Sequence, residues 1–277
     1  MLRTECGYTG AQPYWDWTLD ATSESAFLAS PVFNSVTGFG GNGPFVETDP
    51  SNPFNVPGRS GGGCVTGGPF AGVNDIVHLG PSDAVEYNPQ CLKRDLSPYF
   101  GARYLGMNQT QVTLAQGDFG WFARTVEGMP SFETSGVHGG GHYGVGGTLG
   151  EFSSFLFLSL ERVSLVIIGF AWLTRIGQMG DLYTSPADPL FYLHHANLDR
   201  LWWSWQKLNL SERLTDISGP IHLMDYGNTA GGNTTLDFPL SVGVSAADTS
   251  VGDVMKINAC GAGGVLCYEY DKVYTLS

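Results

Sequence analysis

Charge, and positive charge above all, is scarce in this chain. Charged residues fill 14% of its 277 positions, and 13 Lys and Arg face 26 Asp and Glu, for a net charge of −13. A surface with so little positive charge repels phosphate backbones and anionic lipid, so neither nucleic-acid binding nor peripheral membrane binding is expected. The five cysteines (Cys6, Cys64, Cys91, Cys260 and Cys267) include no C-x-x-C pair, which argues against a zinc ribbon or a thioredoxin-type site. An odd count leaves at least one thiol outside any disulfide within the chain. There is no phosphate-binding loop, and the carboxylates are scattered, so paired-carboxylate catalysis has no anchor. No internal repeat is present. The opening MLRTECGYTG carries no apolar signal-peptide core, so this chain shows no signal peptide of its own.

Apolar residues are plentiful. Hydrophobic residues make up 42% and aromatics 13%, enough for a sizeable core and too many for a disordered acidic chain, a coiled coil or a collagen repeat. The 39 glycines and 15 prolines imply much irregular chain, concentrated in loops over 34–80 and continuing to about residue 100. Apolar spacing over 108–127 predicts helix, weakened by Gly117 and Gly120. Asp188 suits a helix N-cap and Pro189 the first helical position, and from there to about residue 209 the chain has no glycine and no further proline. Residues 220–277 read as loops and short strands. Residues 152–177 are far more apolar than their surroundings and long enough to span a bilayer, but Glu161-Arg162 sit near the middle, so a buried core helix is the plain reading. Three sequons, at Asn108, Asn209 and Asn233, lean toward a secreted glycoprotein.

Four of the six histidines fall into two tight groups. His138 and His142 lie one helical turn apart, which on a helix aims both imidazoles the same way, close enough to share a metal ion. The three residues between them are glycines, so a Gly-rich loop with two incidental histidines is an equal alternative. His194 and His195 are adjacent on the long helix, so their side chains diverge by about 100° and one of them can face such a site. His195 is favoured, because Phe191, His195 and Asp199 share one face, an aromatic wall and a carboxylate flanking the imidazole. His194 is then a supporting neighbour. Three imidazoles suit copper or zinc, and spacing does not choose between redox chemistry with oxygen and hydrolysis. Trp202, Trp203 and Trp205 are expected to pack. His78 and His222 are expected to be ordinary loop histidines, and Lys93-Arg94-Asp95 a local ion-pair cluster.

PYWDW at 13–17, HGGGHYGVGG at 138–147, DPLFYLHHANLDRLW at 188–202 and CYEY at 267–270 together resemble the tyrosinase family of type-3 copper proteins, with the tone of the short secreted fungal enzymes. The resemblance covers roughly residues 2–150 and 178–272. It implies a mainly α fold: a helical bundle that holds two coppers, each on three histidines, with long loops and a few short C-terminal strands. It implies O2-dependent oxidation of phenols or o-diphenols to o-quinones. By the same resemblance His138, His142 and His195 are the second-copper (CuB) ligands, His194 is a neighbour that does not ligate, Phe191 packs over the site, Asp199 stands behind it, and Tyr268 and Tyr270 close the core.

The departures shape what is expected. The family's first-copper (CuA) histidines lie upstream of PYWDW, so this chain reads as the CuB half of a single incomplete domain over 1–277. Trp15, Trp17 and the Trp202–Trp205 cluster are then expected to expose surface meant for missing helices. Gly139 follows the first ligand, where hydroxylating relatives often carry an Asn that helps a Glu hold a basic water. Glu133 is the weak candidate for that Glu, which favours diphenol oxidation over hydroxylation. Removing 151–177 joins Gly150 to Gln178 in a smooth family-like sequence, so the segment reads as an insertion and a retained intron. Two other readings stand beside the oxidase: a non-catalytic remnant holding a single metal, and a mononuclear zinc hydrolase.

Overall fold

The fold follows from where the chain places its caps and glycines. The computed structural model describes residues 2–52, 55–73, 87, 89–128, 135–148, 177–181, 183–222, 225, 227–259 and 264–277. The described chain is mainly helical: α1 (Leu2–Cys6), α2 (Trp17–Asp20), α3 (Glu24–Leu28), α4 (Pro98–Tyr104), α5 (Met107–Leu114), α6 (Phe119–Glu127), α7 (Val137–Gly146), α8 (Leu190–Lys207), α9 (Leu210–Arg213) and α10 (Val251–Val254). Two short antiparallel strands, β1 (Pro239–Leu240) and β2 (Thr249–Ser250), pair Pro239 with Ser250 and Leu240 with Thr249. Contacts divide the chain into one unit of residues 1–16, 107–138 and 193–277 and another of residues 17–106 and 139–192.

In the unit of residues 17–106 and 139–192, serines start the helices. The hydroxyl of Ser23 accepts from the Ala26 amide at the head of α3, and that of Ser97 from the Phe100 amide at the head of α4, each at 3.1 Å. Phe27 is fully buried and meets Phe33 edge-on, its ring lying against the bare backbone of Gly101 on α4. The triplet Lys93-Arg94-Asp95 is not the local cluster expected. Arg94 and Asp188 form a bidentate pair, 2.8 Å at both contacts and with both side chains fully buried, and Asp95 accepts from Arg59 at 2.7 Å. The remaining guanidinium nitrogen of Arg94 donates to the carbonyls of Phe39 and Gly40. A buried pair needs this degree of satisfaction to offset desolvation, which explains why loop carbonyls converge on Arg94. Gly147 follows α7 at φ +66°, and a side chain there would collide with the Asp95 carboxylate. Cys64 and Cys91 form a disulfide, while Cys6 is free and exposed.

In the unit of residues 1–16, 107–138 and 193–277, the stretch 108–127 is broken rather than one helix. Gly117 interrupts it, and Asp118 caps a new start by accepting from the Trp121 amide at 2.9 Å. Trp205 is fully buried against Phe122, its indole N–H donating to the Gln116 carbonyl at 2.7 Å. Arg200 lies between the Tyr14 and Tyr274 rings, 4.2 and 4.0 Å from their centroids, and pairs with Asp16 at 2.9 Å, which fastens the C-terminal segment to α8. Burial pushes the Tyr14 hydroxyl up to about 12, and Tyr274 is raised further for the same first reason. The exposure expected of the tryptophans is not found: Trp15, Trp17, Trp203 and Trp205 are each no more than 6% exposed, and Trp202 is half-buried. The tail holds the short strands expected of it and one helix not expected, α10, started by a reciprocal Ser250–Asp253 capping box. His78, Glu133, Cys260 and nearly all of the apolar segment 151–177 lie outside the described residues. Among the described residues no helix is long and apolar enough to cross a membrane.

Candidate metal centre

Two helices carry the histidines. Gly140 and Gly144 of α7, each unfavourable for a helix in isolation by about 1 kcal/mol, lie against close neighbours. At Gly140 a Cβ would stand 2.9 Å from the Tyr104 Cβ and 3.0 Å from a Leu105 methyl, and at Gly144 it would stand 3.4 Å from the Gly101 Cα and the Phe27 ring. Close approach to α4 therefore excludes a side chain at Gly140 and leaves little room at Gly144. His138 and His142 are offset from these glycines by two positions, about 200° around the helix, so the imidazoles project from the opposite side. One face of α7 anchors the backbone and the other presents the rings.

His138, His142 and His195 come together: each offers a ring nitrogen within 4.8 Å of the other two, and this is the group of potential metal ligands found among the described residues. The His138 and His195 rings meet edge-on, their centroids 5.2 Å apart. Hydrogen bonds orient two of the three. His138 Nδ1 lies 2.8 Å from Glu127 Oε2, and His142 Nδ1 lies 2.7 Å from the Met179 carbonyl oxygen. A carbonyl only accepts, so Nδ1 of His142 carries the proton and Nε2 carries the lone pair; the carboxylate imposes the same tautomer on His138. Metal-binding imidazoles are set up in this way, with the second nitrogen held by a carboxylate or a carbonyl. Burial, helped by the neighbouring His138, pushes His195 down to about 4, so near neutral pH it is uncharged, the form that coordinates a metal.

The flanking residues are placed as follows. His194 is fully buried and donates through Nε2 to the His138 carbonyl at 3.0 Å, which turns that nitrogen onto backbone. Phe191 meets the His142 ring edge-on at 5.9 Å. Gly139 sits inside α7 beside His138, half-buried. Asp199 accepts from the hydroxyls of Tyr268 and Tyr270 at 2.9 and 2.6 Å; burial raises its carboxyl and raises both hydroxyls well above the ordinary tyrosine range. His222 is exposed. Glu127 and the Met179 carbonyl are absent from the sequence reading. Glu127 ends α6 and His138 lies in the first turn of α7, so no spacing within one helix links the two.

With this geometry in place, the comparisons decide the family. A family profile described as "Common central domain of tyrosinase" matches residues 1–208. The chain belongs to the tyrosinase family. It is 31% identical to Oxidase hkm6 of Aspergillus hancockii, over 97% of this chain and 87% of that protein. It is 34% identical to Tyrosinase ustQ of Aspergillus flavus, over 97% of this chain but 59% of that protein. Among solved structures it is similar to the polyphenol oxidase (mutant G292N) of Thermothelomyces thermophila, with a TM-score of 0.73 and 32% identity, covering 98% of this chain and 68% of that one. The tyrosinase family is a family of copper oxidases, and membership in it implies copper rather than zinc for the three imidazoles.

Proposed function

We propose that this tyrosinase-family chain serves the O2-dependent oxidation of phenols or o-diphenols to o-quinones, with His138, His142 and His195 as the ligands of one copper, the CuB position of the family. The observation that carries the reading is the trio itself, two of whose rings are held at Nδ1 by Glu127 and Met179. Copper bound there supplies a one-electron redox couple and an open coordination position for dioxygen.

The chain's own residues do the rest. Glu127 fixes the His138 ring through Oε2, and its half-exposed carboxylate supports a role in accepting the proton of a substrate hydroxyl. Phe191 walls the His142 flank against water. Gly139 brings no side-chain amide beside His138, which supports diphenol oxidation over phenol hydroxylation. Asp199 ties α8 to Tyr268 and Tyr270 and so steadies the helix that carries His195. Asn108, Asn209 and Asn233 are all exposed, which supports a secreted glycoprotein.

A second reading, a non-catalytic holder of one metal, is favoured by the described histidines outside the trio: His194 donates to backbone and His222 is exposed. Copper titration combined with 4-methylcatechol oxidation separates the two. Two coppers per chain with turnover supports the oxidase, and one copper without turnover supports the holder. Zinc retained in preference to copper under copper-replete conditions overturns the oxidase.

A further inference from the structure

Outside the trio, the described residues leave a cavity of about 540 Å³ on the outer face of α6. Trp121, Arg124 and Glu127 line one wall at steps of three, on one helical face, and Ile217 and Pro220 stand opposite. We propose that this groove is a second aryl-binding subsite, which takes the uncharged aromatic body of an extended phenol whose hydroxylated ring faces the histidine trio; the proposal rests on the oxidase reading above.

Several observations converge on that ligand. The volume is that of sites which hold drug-sized molecules, well beyond a single phenol ring. Glu127 joins the groove to the metal centre, since the carboxylate that lines it also holds His138 at 2.8 Å. The rise along α6 puts Trp121 about 9 Å from Glu127, the reach of a molecule two rings long. Trp121 is 58% exposed, a large apolar face left in water, and the Arg124 guanidinium lies 5.4 Å from its ring centroid. An aromatic ring entering here stacks on the indole and takes a cation–π contact from Arg124. An anionic ligand would meet Glu127 and Asp118 in a chain of net charge −13, so the ligand body is uncharged.

The test begins without metal. Calorimetric titration of the metal-free full chain with 4-phenylanisole, an uncharged two-ring probe with no free hydroxyl, is expected to show saturable binding. Trp121→Ala weakens it about tenfold, the loss of one stacking contact, and Ser218→Trp, which fills the groove from its exposed rim, abolishes it. In the copper-loaded chain Trp121→Ala raises the KM for 4-phenylcatechol about tenfold more than the KM for 4-methylcatechol. Absence of saturable binding, binding indifferent to both substitutions, or an equal KM change for both catechols overturns the subsite. If copper brings no turnover of either catechol while the probe still binds and still depends on Trp121, the oxidase reading falls and the subsite stands.

Discussion

The glycines of α7 yield the sharpest prediction, because two of them on the same helix face should respond to one methyl group with opposite signs. Replacing glycine by alanine inside a helix gains about 1 kcal/mol from backbone propensity. At Gly144 the new Cβ would meet its nearest neighbours at 3.4 Å, an ordinary contact, so Gly144→Ala should keep most of that gain. At Gly140 it would stand 2.9 Å from the Tyr104 Cβ, an atom fixed to the α4 backbone that cannot swing away. Carbon atoms pack best at about 3.5–4.0 Å, so α7 must retreat by about half an ångström or more, and overpacking of this kind costs about 1–3 kcal/mol. Gly140→Ala should therefore lose about 1 kcal/mol net and Gly144→Ala gain up to about 1 kcal/mol. Urea unfolding of the two variants beside the parent reads the difference as a shift in midpoint at constant slope. If Gly140→Ala is stabilised as much as Gly144→Ala, close approach of α4 is not why this helix is glycine-rich, and the account of how α7 aims its imidazoles fails with it.

Three further outcomes follow from named contacts. Glu127→Ala removes the carboxylate that holds His138, and copper affinity measured against a competing chelator should fall about 10- to 100-fold; an unchanged affinity would mean that Glu127 does not position the ring. Burial holds His195 at about 4, below its usual 6.5, so between those values the folded metal-free protein binds fewer protons than the unfolded chain, and its stability falls as pH drops through that window and levels below it. With the ring partly open to solvent the loss is about 1–2 kcal/mol, and a pH series in which His195→Gln keeps the same slope would refute the assignment. Asp188→Asn leaves the fully buried Arg94 without its counter-charge and should cost about 3–5 kcal/mol, while the double variant Arg94→Met with Asp188→Leu recovers much of it; a loss under about 1 kcal/mol for the single change would show that the pair is not held as tightly as its geometry says.

What was legible in the sequence were the features written in local chemistry. Asp188 and Pro189 announce a helix, and α8 runs Leu190–Lys207 with the Asp188 carboxylate accepting from the Leu190 amide at 2.9 Å. The same carboxylate pairs with Arg94, which no local rule reveals, because the two lie ninety-four positions apart. The triplet Lys93-Arg94-Asp95 looked self-contained for that reason: adjacent opposite charges suggest each other as partners, whereas the fold sends Arg94 to Asp188 and Asp95 to Arg59. The tryptophans misled in the same direction. Trp15 and Trp17 read as short of cover when judged from the few residues before them, yet both are buried, and the Trp15 backbone amide donates to the Leu193 carbonyl, far along the chain, at 3.0 Å.

The histidine cluster shows where pattern ends and packing begins. The four-residue interval between His138 and His142 suggested a shared ligand while the three intervening glycines argued against the helix that interval needs, and sequence alone left the two in balance. The balance is tipped by Tyr104 and Leu105, whose closeness makes glycine a requirement at Gly140 rather than a flaw in the helix. The choice of His195 over His194 was readable from the helix face shared with Phe191 and Asp199. Its chemical basis was not readable, since it depends on two backbone carbonyls: that of His138, which engages Nε2 of His194, and that of Met179, which engages Nδ1 of His142 and sets its lone pair on the other nitrogen. Carbonyls have no residue signature. A site tuned by them is found in sequence only through the side chains they orient, so the roles of Glu127 and Met179 had to come from geometry.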